Sequence, residues 1–246
     1  MNRAFLDQYH YIERNHWWFR VRGRIIADLI RRNMSMASHP EILNVGAATG
    51  RSTELLQSFG QVQSLEYDQP CVDYCREILH LDVIQGSITA LPYADDSFDL
   101  VCAFDVVEHV ADDKLAVSEL MRVCKPGGLV FVTVPAFMSL WSEHDEVNFH
   151  YRRYRKNQLI GMFSNGKLHR STYFNTLLFP PIWVARRLGR LMKRKHSAPK
   201  PDNEWMQHPF TDKLFGAIFS LERLLLCLIN QPFGVSLAVI WKKNEN

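Results

Sequence analysis

Two stretches of the chain combine acidic and basic side chains at spacings that suit chemistry. Asp105, Glu108 and His109 stand at i, i+3 and i+4, which places them on one face if a helix begins at Asp105. His144 and Asp145 are neighbours, and a histidine oriented by an acid can take a proton from a hydroxyl. The resulting catalytic candidates are Asp105, His109, His144 and Asp145, a set suited to a reaction in which a hydroxyl loses its proton.

Basic and aromatic residues are candidates for holding a substrate. His150 is followed by Arg152 and Arg153, and the two guanidinium groups could clamp an anionic group such as phosphate. Trp18 lies where two tryptophans and a phenylalanine stand beside basic residues, so it could line a cleft. Two alternatives stay open: the arginines pair with local acids in a solvated loop, and the tryptophan packs on the core.

A turn of small residues offers a different chemistry, that of ligand binding. Gly46 and Gly50 lie between an apolar run at 41–45 and a helical pattern at 51–59. Such a turn lets the backbone approach a ligand, and the helix N-terminus offers N–H groups to a carboxylate or phosphate. Glu66 follows about twenty residues later, where its carboxylate would accept hydrogen bonds from a ribose diol. Together they predict an adenosine-type ligand, and both NAD and S-adenosylmethionine are compatible with them.

Strand and helix patterns alternate along the chain and must position these residues. Apolar runs predict strands at 41–45, 61–67, 82–85, 98–104, 129–134, 167–174 and 234–242. Helical patterns separate the earlier strands at 51–59, 71–79 and 112–123. This order predicts an α/β fold with a doubly wound, mostly parallel, Rossmann-like sheet of seven strands.

We expect additions before and within this core. The predicted division is an N-terminal helical cap at 1–40, the core at 41–174, a helical insert at 175–232, and the last strand and tail at 233–246. The insert is much longer than an ordinary connection and predicts two apolar helices, at 177–195 and 211–230, joined by a polar stretch at 196–209. It carries a basic cluster without acids: Arg186, Arg187, Arg190, Lys193, Arg194, Lys195 and Lys200. It could bind a membrane interface with anionic headgroups, or form a hairpin that closes over the core.

Composition limits the classes of protein to consider. The 246 residues are 47% hydrophobic and 22% charged with a formal net charge of +3, which suits a folded protein and argues against a nucleic-acid partner. The first residues are charged and lack the apolar segment of a secretion signal or anchor, which predicts a cytoplasmic location. The five cysteines match no zinc or disulfide spacing, so we expect free thiols.

Four ordered motifs resemble those of the class I S-adenosylmethionine-dependent methyltransferases, especially the methyltransferase type 11 group. They are ILNVGAATG at 42–50, ALPYADDSFDLV at 90–101, DVVEHV at 105–110 and LMRVCKPGG at 120–128. The resemblance is close over 41–134 and selects S-adenosylmethionine over NAD. The segments HWWF, HYRRY and NTLLFPP are similar to those of methyltransferases encoded among bacterial glycan and lipid-linked sugar genes.

The resemblance implies a cofactor-binding set. Gly46 and Gly50 would face the methionine part of the cofactor, with Glu66 at the ribose. The full set is Asn44, Gly46, Ala48, Gly50, Glu66, Tyr67, Ser87 and Ile88, the last two flanking the adenine, with Asp105 beside the sulfonium. Three residues depart from the family pattern: Asn44 and Ser87 replace acids, and Ala48 replaces the central glycine. Asparagine and serine still form hydrogen bonds, and an alanine is tolerated where its φ is negative, so weaker cofactor binding is expected.

The resemblance also raises a metal site. Two acids and a histidine bind a divalent ion in some quinone and RNA methyltransferases, and the corresponding residues here are Asp105, Glu108 and His109. Further ligands could come from His144, Asp145 or His150. Many type 11 relatives carry the same string without a metal, and His109 can instead pack or cap. We therefore favour a metal-free site.

These patterns lead to one functional hypothesis and two alternatives. The chain is expected to be an S-adenosylmethionine-dependent methyltransferase that methylates an oxygen of a hydrophobic or lipid-linked anionic acceptor, at the inner face of the membrane. One alternative is a soluble small-molecule or sugar methyltransferase whose insert encloses the pocket. The other is a catalytically inactive scaffold that binds an adenosine ligand and serves a partner protein.

Overall fold

The seven predicted strands form one sheet. The structure is a computed structural model that describes residues 3–34, 39–191 and 209–245. The strands are β1 (Glu41–Val45), β2 (Gln61–Glu66), β3 (Val83–Gln85), β4 (Phe98–Phe104), β5 (Cys124–Pro135), β6 (Gly166–Phe174) and β7 (Ser236–Lys243). Their order is β3-β2-β1-β4-β5-β7-β6, with parallel pairs from β3 to β5 and with β7 antiparallel to β5 and β6. The predicted α/β fold with a mostly parallel seven-stranded sheet is confirmed.

Helices cover both faces of this sheet. They are α1 (Arg3–Asn15), α2 (Trp17–Asn33), α3 (Arg51–Leu56), α4 (Gln69–Leu79), α5 (Asp113–Val123), α6 (Glu143–Val147), α7 (Lys156–Ile160), α8 (Phe179–Leu191) and α9 (Pro209–Leu228). Neighbouring residues of β1 show why both faces need cover, because Ile42 packs into one buried cluster and Leu43 into the other. The sheet is therefore apolar on both sides, as its continuous hydrophobic strands predict.

The predicted elements that differ most from the structure are the fifth strand and the helix after β4. β5 begins at Cys124 and not at residue 129, because Cys124 pairs with Phe98 of β4 before the register shifts. The helix that would begin at Asp105 is replaced by a left-handed residue, with φ +57° at Asp105, and a single 3-10 turn at Val107–His109. The acid is therefore not on one helical face with the Glu-His pair that follows it.

The cap and the insert pack together as one layer on the sheet. Trp17 of α2 is 1% exposed and contacts Phe215 and Phe219 of α9 with ring centroids 5.6 and 5.9 Å apart. Asp28 of α2 forms an ion pair with Arg223 of α9 at 2.5 Å. Aromatic packing and charge thus join two segments that are far apart in sequence.

Part of the predicted insert lies outside the described residues. Residues 196–208 of the polar stretch predicted at 196–209 fall in this part, whereas Pro209 is the first residue of α9. The basic residues Lys193, Arg194, Lys195 and Lys200 also lie outside the described residues, and the side chain of Arg190 is not described. Within the described ranges, none of the helices combines the length and apolar character needed to cross a membrane.

Candidate functional site

Three strands end side by side at the carboxyl edge of the sheet. β1 lies between β2 and β4, and the chain leaves β1 toward one side and β4 toward the other, which makes the gap between them a topological switch point. Ligands of α/β sheets bind in the crevice at such a point. The residues that follow or end these strands are Gly46, Glu66 and Asp105. The fold therefore brings the predicted turn and both predicted acids to one edge.

The turn after β1 uses three left-handed residues. Their φ angles are +85° at Gly46, +46° at Ala48 and +83° at Gly50. A Cβ on Gly46 would lie 2.4 Å from Cγ2 of Val106, so this position needs glycine for space as well as for conformation. The condition under which an alanine is tolerated here, a negative φ, is not met, because Ala48 lies in the left-handed region.

Glu66 ties the end of β2 to this turn. Its Oε2 accepts a hydrogen bond from the Ala48 N–H at 2.8 Å, and its Oε1 accepts one from the Asp68 N–H at 2.9 Å. A carboxylate has about four acceptor positions, so two remain for the hydroxyls of a ribose. The predicted ribose-binding acid is thus already oriented by the backbone around it.

Asn44 lies beneath the turn and is fully buried. Its Nδ2 donates to Oγ of Ser52 at 2.9 Å and to Oγ1 of Thr53 at 3.0 Å. These bonds direct the side chain toward α3, so Asn44 supports the turn from below and does not face the cleft as a cofactor ligand would.

The residues predicted around the ribose and adenine lie at the ends of β2 and β3. Tyr67 is 77% exposed. Oγ of Ser87 lies 2.8 Å from Oγ1 of Thr89. Ile88 packs into the hydrophobic cluster and is 6% exposed. The structure therefore places two of the three near the surface and corrects the role of the Ile88 side chain, which belongs to the core.

The cap helix α1 packs directly against the turn. Glu13 is buried and accepts a hydrogen bond from the Thr49 hydroxyl. Burial raises the pKa of Glu13 to about 7, although the bond from Thr49 opposes the shift. Arg14 adds an ion pair to Glu54 of α3 at 2.6 Å. Glu13 was absent from the predicted set; its signal was Tyr9 one turn earlier, since two polar residues at i and i+4 lie on the same face of a helix.

Asp105 is held by a residue of the second cap helix. Its carboxylate pairs with Arg22 of α2 at 2.8 Å and accepts a hydrogen bond from the Thr133 hydroxyl at 3.0 Å. The same guanidinium lies 5.2 Å from the ring centroid of Trp18. Trp18 therefore reaches the site through Arg22, and both Arg22 and Thr133 were absent from the predicted set.

The segment after β5 forms pairs that differ from those predicted. Asp145 is fully buried, and its Oδ1 lies 2.8 Å from Nδ1 of His150. Arg153 donates hydrogen bonds to both carboxylate oxygens of Asp145, at 2.7 and 3.0 Å. Burial would raise the pKa of Asp145, but the bond to His150 and the charge of Arg153 outweigh it and hold the pKa well below its usual range. The acid thus orients His150, not His144 as predicted, and the ring of His144 lies 3.4 Å from Nδ2 of Asn148.

The predicted arginine clamp is not present. Arg153 is 4% exposed and is bound to Asp145, so it cannot meet an anionic substrate. Arg152 forms an ion pair with Asp113 at 2.6 Å and donates to the Ala111 carbonyl at 2.8 Å. The two guanidinium groups have local acidic partners, which is the alternative the sequence left open.

Glu108, His109 and His150 meet behind Asp105. The rings of His109 and His150 are 4.6 Å apart between centroids. Burial, aided by the neighbouring His150, lowers the pKa of His109 to about 4. Glu108 is fully buried, and desolvation followed by the charge of Asp105 raises its pKa well above the usual range.

Comparison with known proteins finds a family likeness in the first part of the sheet. Residues 43–132 match the model of a methyltransferase domain. The part of the chain that contains the turn, Glu66 and Asp105 is therefore similar to a methyltransferase domain. Over 122 residues it is 31% identical to a Mycolicibacterium smegmatis protein named as a probable S-adenosylmethionine-dependent methyltransferase, covering 49% of this chain and 46% of that protein. It is 34% identical over 111 residues to the demethylmenaquinone methyltransferase of Renibacterium salmoninarum, covering 42% of this chain and 47% of the relative.

Solved structures with the same fold extend the likeness beyond the methyltransferase domain's motifs. A SAM-dependent methyltransferase from Archaeoglobus fulgidus is 16% identical with a TM-score of 0.55, covering 98% of this chain and all of its own. The [4+2]-cyclase SpnF is 17% identical with a TM-score of 0.60, covering 93% of this chain and 83% of its own. At this identity the likeness establishes the fold alone. Since the chain spans about half the length of the curated relatives it matches, the activity of the whole protein is a matter for proposal.

Proposed function

We propose that the protein is an S-adenosylmethionine-dependent methyltransferase that methylates an oxygen of a hydrophobic or lipid-linked anionic acceptor. The observation that carries the proposal is the meeting of the left-handed turn, Glu66 and Asp105 at the switch point of a methyltransferase domain. Backbone N–H groups of the turn suit the methionine carboxylate, Glu66 suits the ribose diol, and Asp105 supplies negative charge for the sulfonium.

The chemistry needs an oxygen placed in line with the methyl group. A lone pair of the acceptor oxygen forms the new C–O bond while the C–S bond of the cofactor breaks. The electron pair of the broken C–S bond stays on sulfur, which gives S-adenosylhomocysteine. The hydroxyl proton leaves to water or to a basic side chain. Arg22 holds the Asp105 carboxylate in place at 2.8 Å, so this acid is a fixed charge and not a mobile base.

The choice of a hydrophobic acceptor rests on the exposed surface of the insert. Several apolar side chains of α9 and the residue after it are solvent-exposed: Leu214, Leu221, Leu224, Leu225, Leu228 and Ile229. Val184 and Leu188 add to them on α8, where Arg187 lies 5.2 Å from the ring centroid of Trp183. Apolar side chains beside cationic ones suit the interface of a membrane with anionic headgroups. We therefore propose peripheral contact with the cytoplasmic face of a membrane.

Calorimetry with S-adenosylmethionine and S-adenosylhomocysteine tests the cofactor. We expect both to bind, and Glu66→Gln to weaken binding by about tenfold or more, because a neutral amide is a weaker acceptor for the diol. Glu77→Gln, a change at an exposed position of α4, is the matched control and should bind as the wild type does. Absence of heat with both ligands would overturn the proposal.

Sedimentation with vesicles tests the acceptor class. We expect the protein to pellet with anionic vesicles, and the pair Leu224→Gln and Leu228→Gln to abolish pelleting. Leu115→Gln, at an exposed leucine on α5, is the control and should not change it. Transfer of a deuterated methyl group from the cofactor into a lipid extract, followed by mass spectrometry, identifies the product. Because the fold also serves a cyclase, lack of any labelled product in cell extracts would remove the methyl-transfer proposal even if the cofactor binds.

A further inference from the structure

Three metal-ligating side chains converge behind Asp105 in a cluster that cofactor binding does not use. Glu108, His109 and His150 each offer one ligand atom, and these atoms lie within 4.8 Å of one another. Neither oxygen of Glu108 has a hydrogen-bond partner among the described residues, although the residue is fully buried. A buried carboxylate without a partner is costly unless another group offsets its charge.

Both histidines are oriented by a second hydrogen bond. Nδ1 of His150 lies 2.8 Å from Oδ1 of Asp145, which Arg153 fixes in turn, so Nε2 is the nitrogen left for a ligand. The ring of His109 donates a hydrogen bond to the backbone of Asn148, which leaves its other nitrogen for a ligand. Metal-binding histidines almost always donate their second N–H to a carboxylate or a backbone carbonyl in this manner.

We propose that Glu108, His109 and His150 bind a first-row divalent transition-metal ion such as Zn²⁺. Two imidazoles and one carboxylate form a ligand set that suits Zn²⁺ and its neighbours, whereas Mg²⁺ and Ca²⁺ prefer oxygen ligands. Metal–ligand bonds of about 2.0–2.1 Å place ligand atoms roughly 3.3 Å apart, so ligand atoms up to 4.8 Å apart must approach one another by up to about 1.5 Å around the ion. Of the ligands considered from the sequence, the site keeps Glu108, His109 and His150 and leaves out Asp105, which is bound to Arg22.

Such a site would leave positions open for water or for an oxygen of a substrate. Three protein ligands with an open fourth position are typical of catalytic zinc sites. The cluster follows Asp105 directly in the chain, at the edge where we place the methyl acceptor, and this part of the inference rests on the proposed function. Metal binding itself does not depend on it.

Titration with Co²⁺ tests the site without any reference to activity, because Co²⁺ in a nitrogen and oxygen site absorbs visible light. We expect the wild type to show a saturable absorption band that Zn²⁺ removes by competition. Glu108→Gln and His109→Gln each remove one ligand and should weaken Co²⁺ binding on the order of 100-fold. Glu143→Gln and His169→Gln change exposed residues of the same types and should bind as the wild type does.

Thermal unfolding with and without Zn²⁺ completes the test. A metal that binds only the folded chain raises the Tm of the protein. Zn²⁺ should therefore raise the Tm of the wild type and leave the Tm of Glu108→Gln unchanged. Circular dichroism identifies a variant that fails to fold, in which case His109→Gln decides the matter. The inference is overturned if the wild type shows neither a Co²⁺ band nor a Zn²⁺ shift, or if the ligand variants bind Co²⁺ as tightly as the controls. Calorimetry with S-adenosylhomocysteine on the same samples shows separately whether the cofactor site is intact.

Discussion

The two halves of the carboxyl edge are built in different ways. The half beside β1 and β2 depends on backbone conformation, with positive φ at Gly46, Ala48 and Gly50 and with N–H groups bound to Glu66. The half behind Asp105 depends on buried charged side chains, above all the pair of Asp145 with Arg153. The first half is therefore sensitive to the presence of a Cβ atom, and the second to the loss of a charge.

Removal of the Arg153 guanidinium should cause the largest loss of folding stability, because this group is the main partner of a buried acid in the charged half. Arg153→Met leaves the Asp145 carboxylate buried without its main partner, which costs about 3–5 kcal/mol for a buried pair. Arg152→Met breaks the partly exposed pair with Asp113, where we expect about 1 kcal/mol or less. Urea unfolding measures both, and equal losses for these two neighbours would show that the buried pair is not special.

Substitution of Gly46 tests the backbone half. Gly46→Ala places a Cβ 2.4 Å from Cγ2 of Val106 at a residue with φ +85°. The conformational and the steric penalties together predict a loss of about 2–4 kcal/mol. The added change Val106→Ala should restore the steric part only, because it makes space without altering φ. A double-mutant cycle in urea measures this coupling, and strict additivity would contradict the packing seen here.

The difference between the halves also explains what sequence could predict. The turn and Glu66 lie in one stretch of chain, where the hydrophobic periodicity and the glycines indicate the local backbone conformation. The strands and the positions of these residues could therefore be predicted from the sequence. The partners in the charged half could not be read in this way. The residue types alone do not indicate that Asp145 binds His150 and not His144. The local sequence likewise gives no sign that Arg22, on another helix, forms an ion pair with Asp105.

A pH-dependent effect should follow at the contact between the cap and the turn. Glu13 has a pKa of about 7 in the folded chain against an ordinary value of 4.5. Between these values the folded state holds a proton that the unfolded state has lost, so its contribution to stability falls as pH rises from about 4.5 to about 7 and is constant above. The total change is about 3 kcal/mol, since a difference of one pKa unit corresponds to about 1.4 kcal/mol. Urea unfolding at pH 5 and pH 8 should show this loss in the wild type and a smaller one in Glu13→Gln, whose amide does not titrate. The same slope in both proteins would contradict the burial of this acid.

The smallest effect is expected at Ala48, where the backbone half carries strain that the family's central glycine avoids. Because Ala48 has φ +46°, Ala48→Gly removes a conformational penalty of about 1–2 kcal/mol for a left-handed residue. The glycine also makes the unfolded chain more flexible, which lowers the stability by about 0.4–1 kcal/mol. The net result should be a gain of up to about 1.5 kcal/mol, measured as an increase in Tm. Ala116→Gly on α5 is the control: the same change inside a helix, at a buried residue that also loses its methyl contacts, should destabilise by at least about 1 kcal/mol. Because the Ala48 N–H still reaches Glu66 after the change, we expect cofactor affinity to hold or improve, and a loss of stability at both alanines would mean that the turn is not strained.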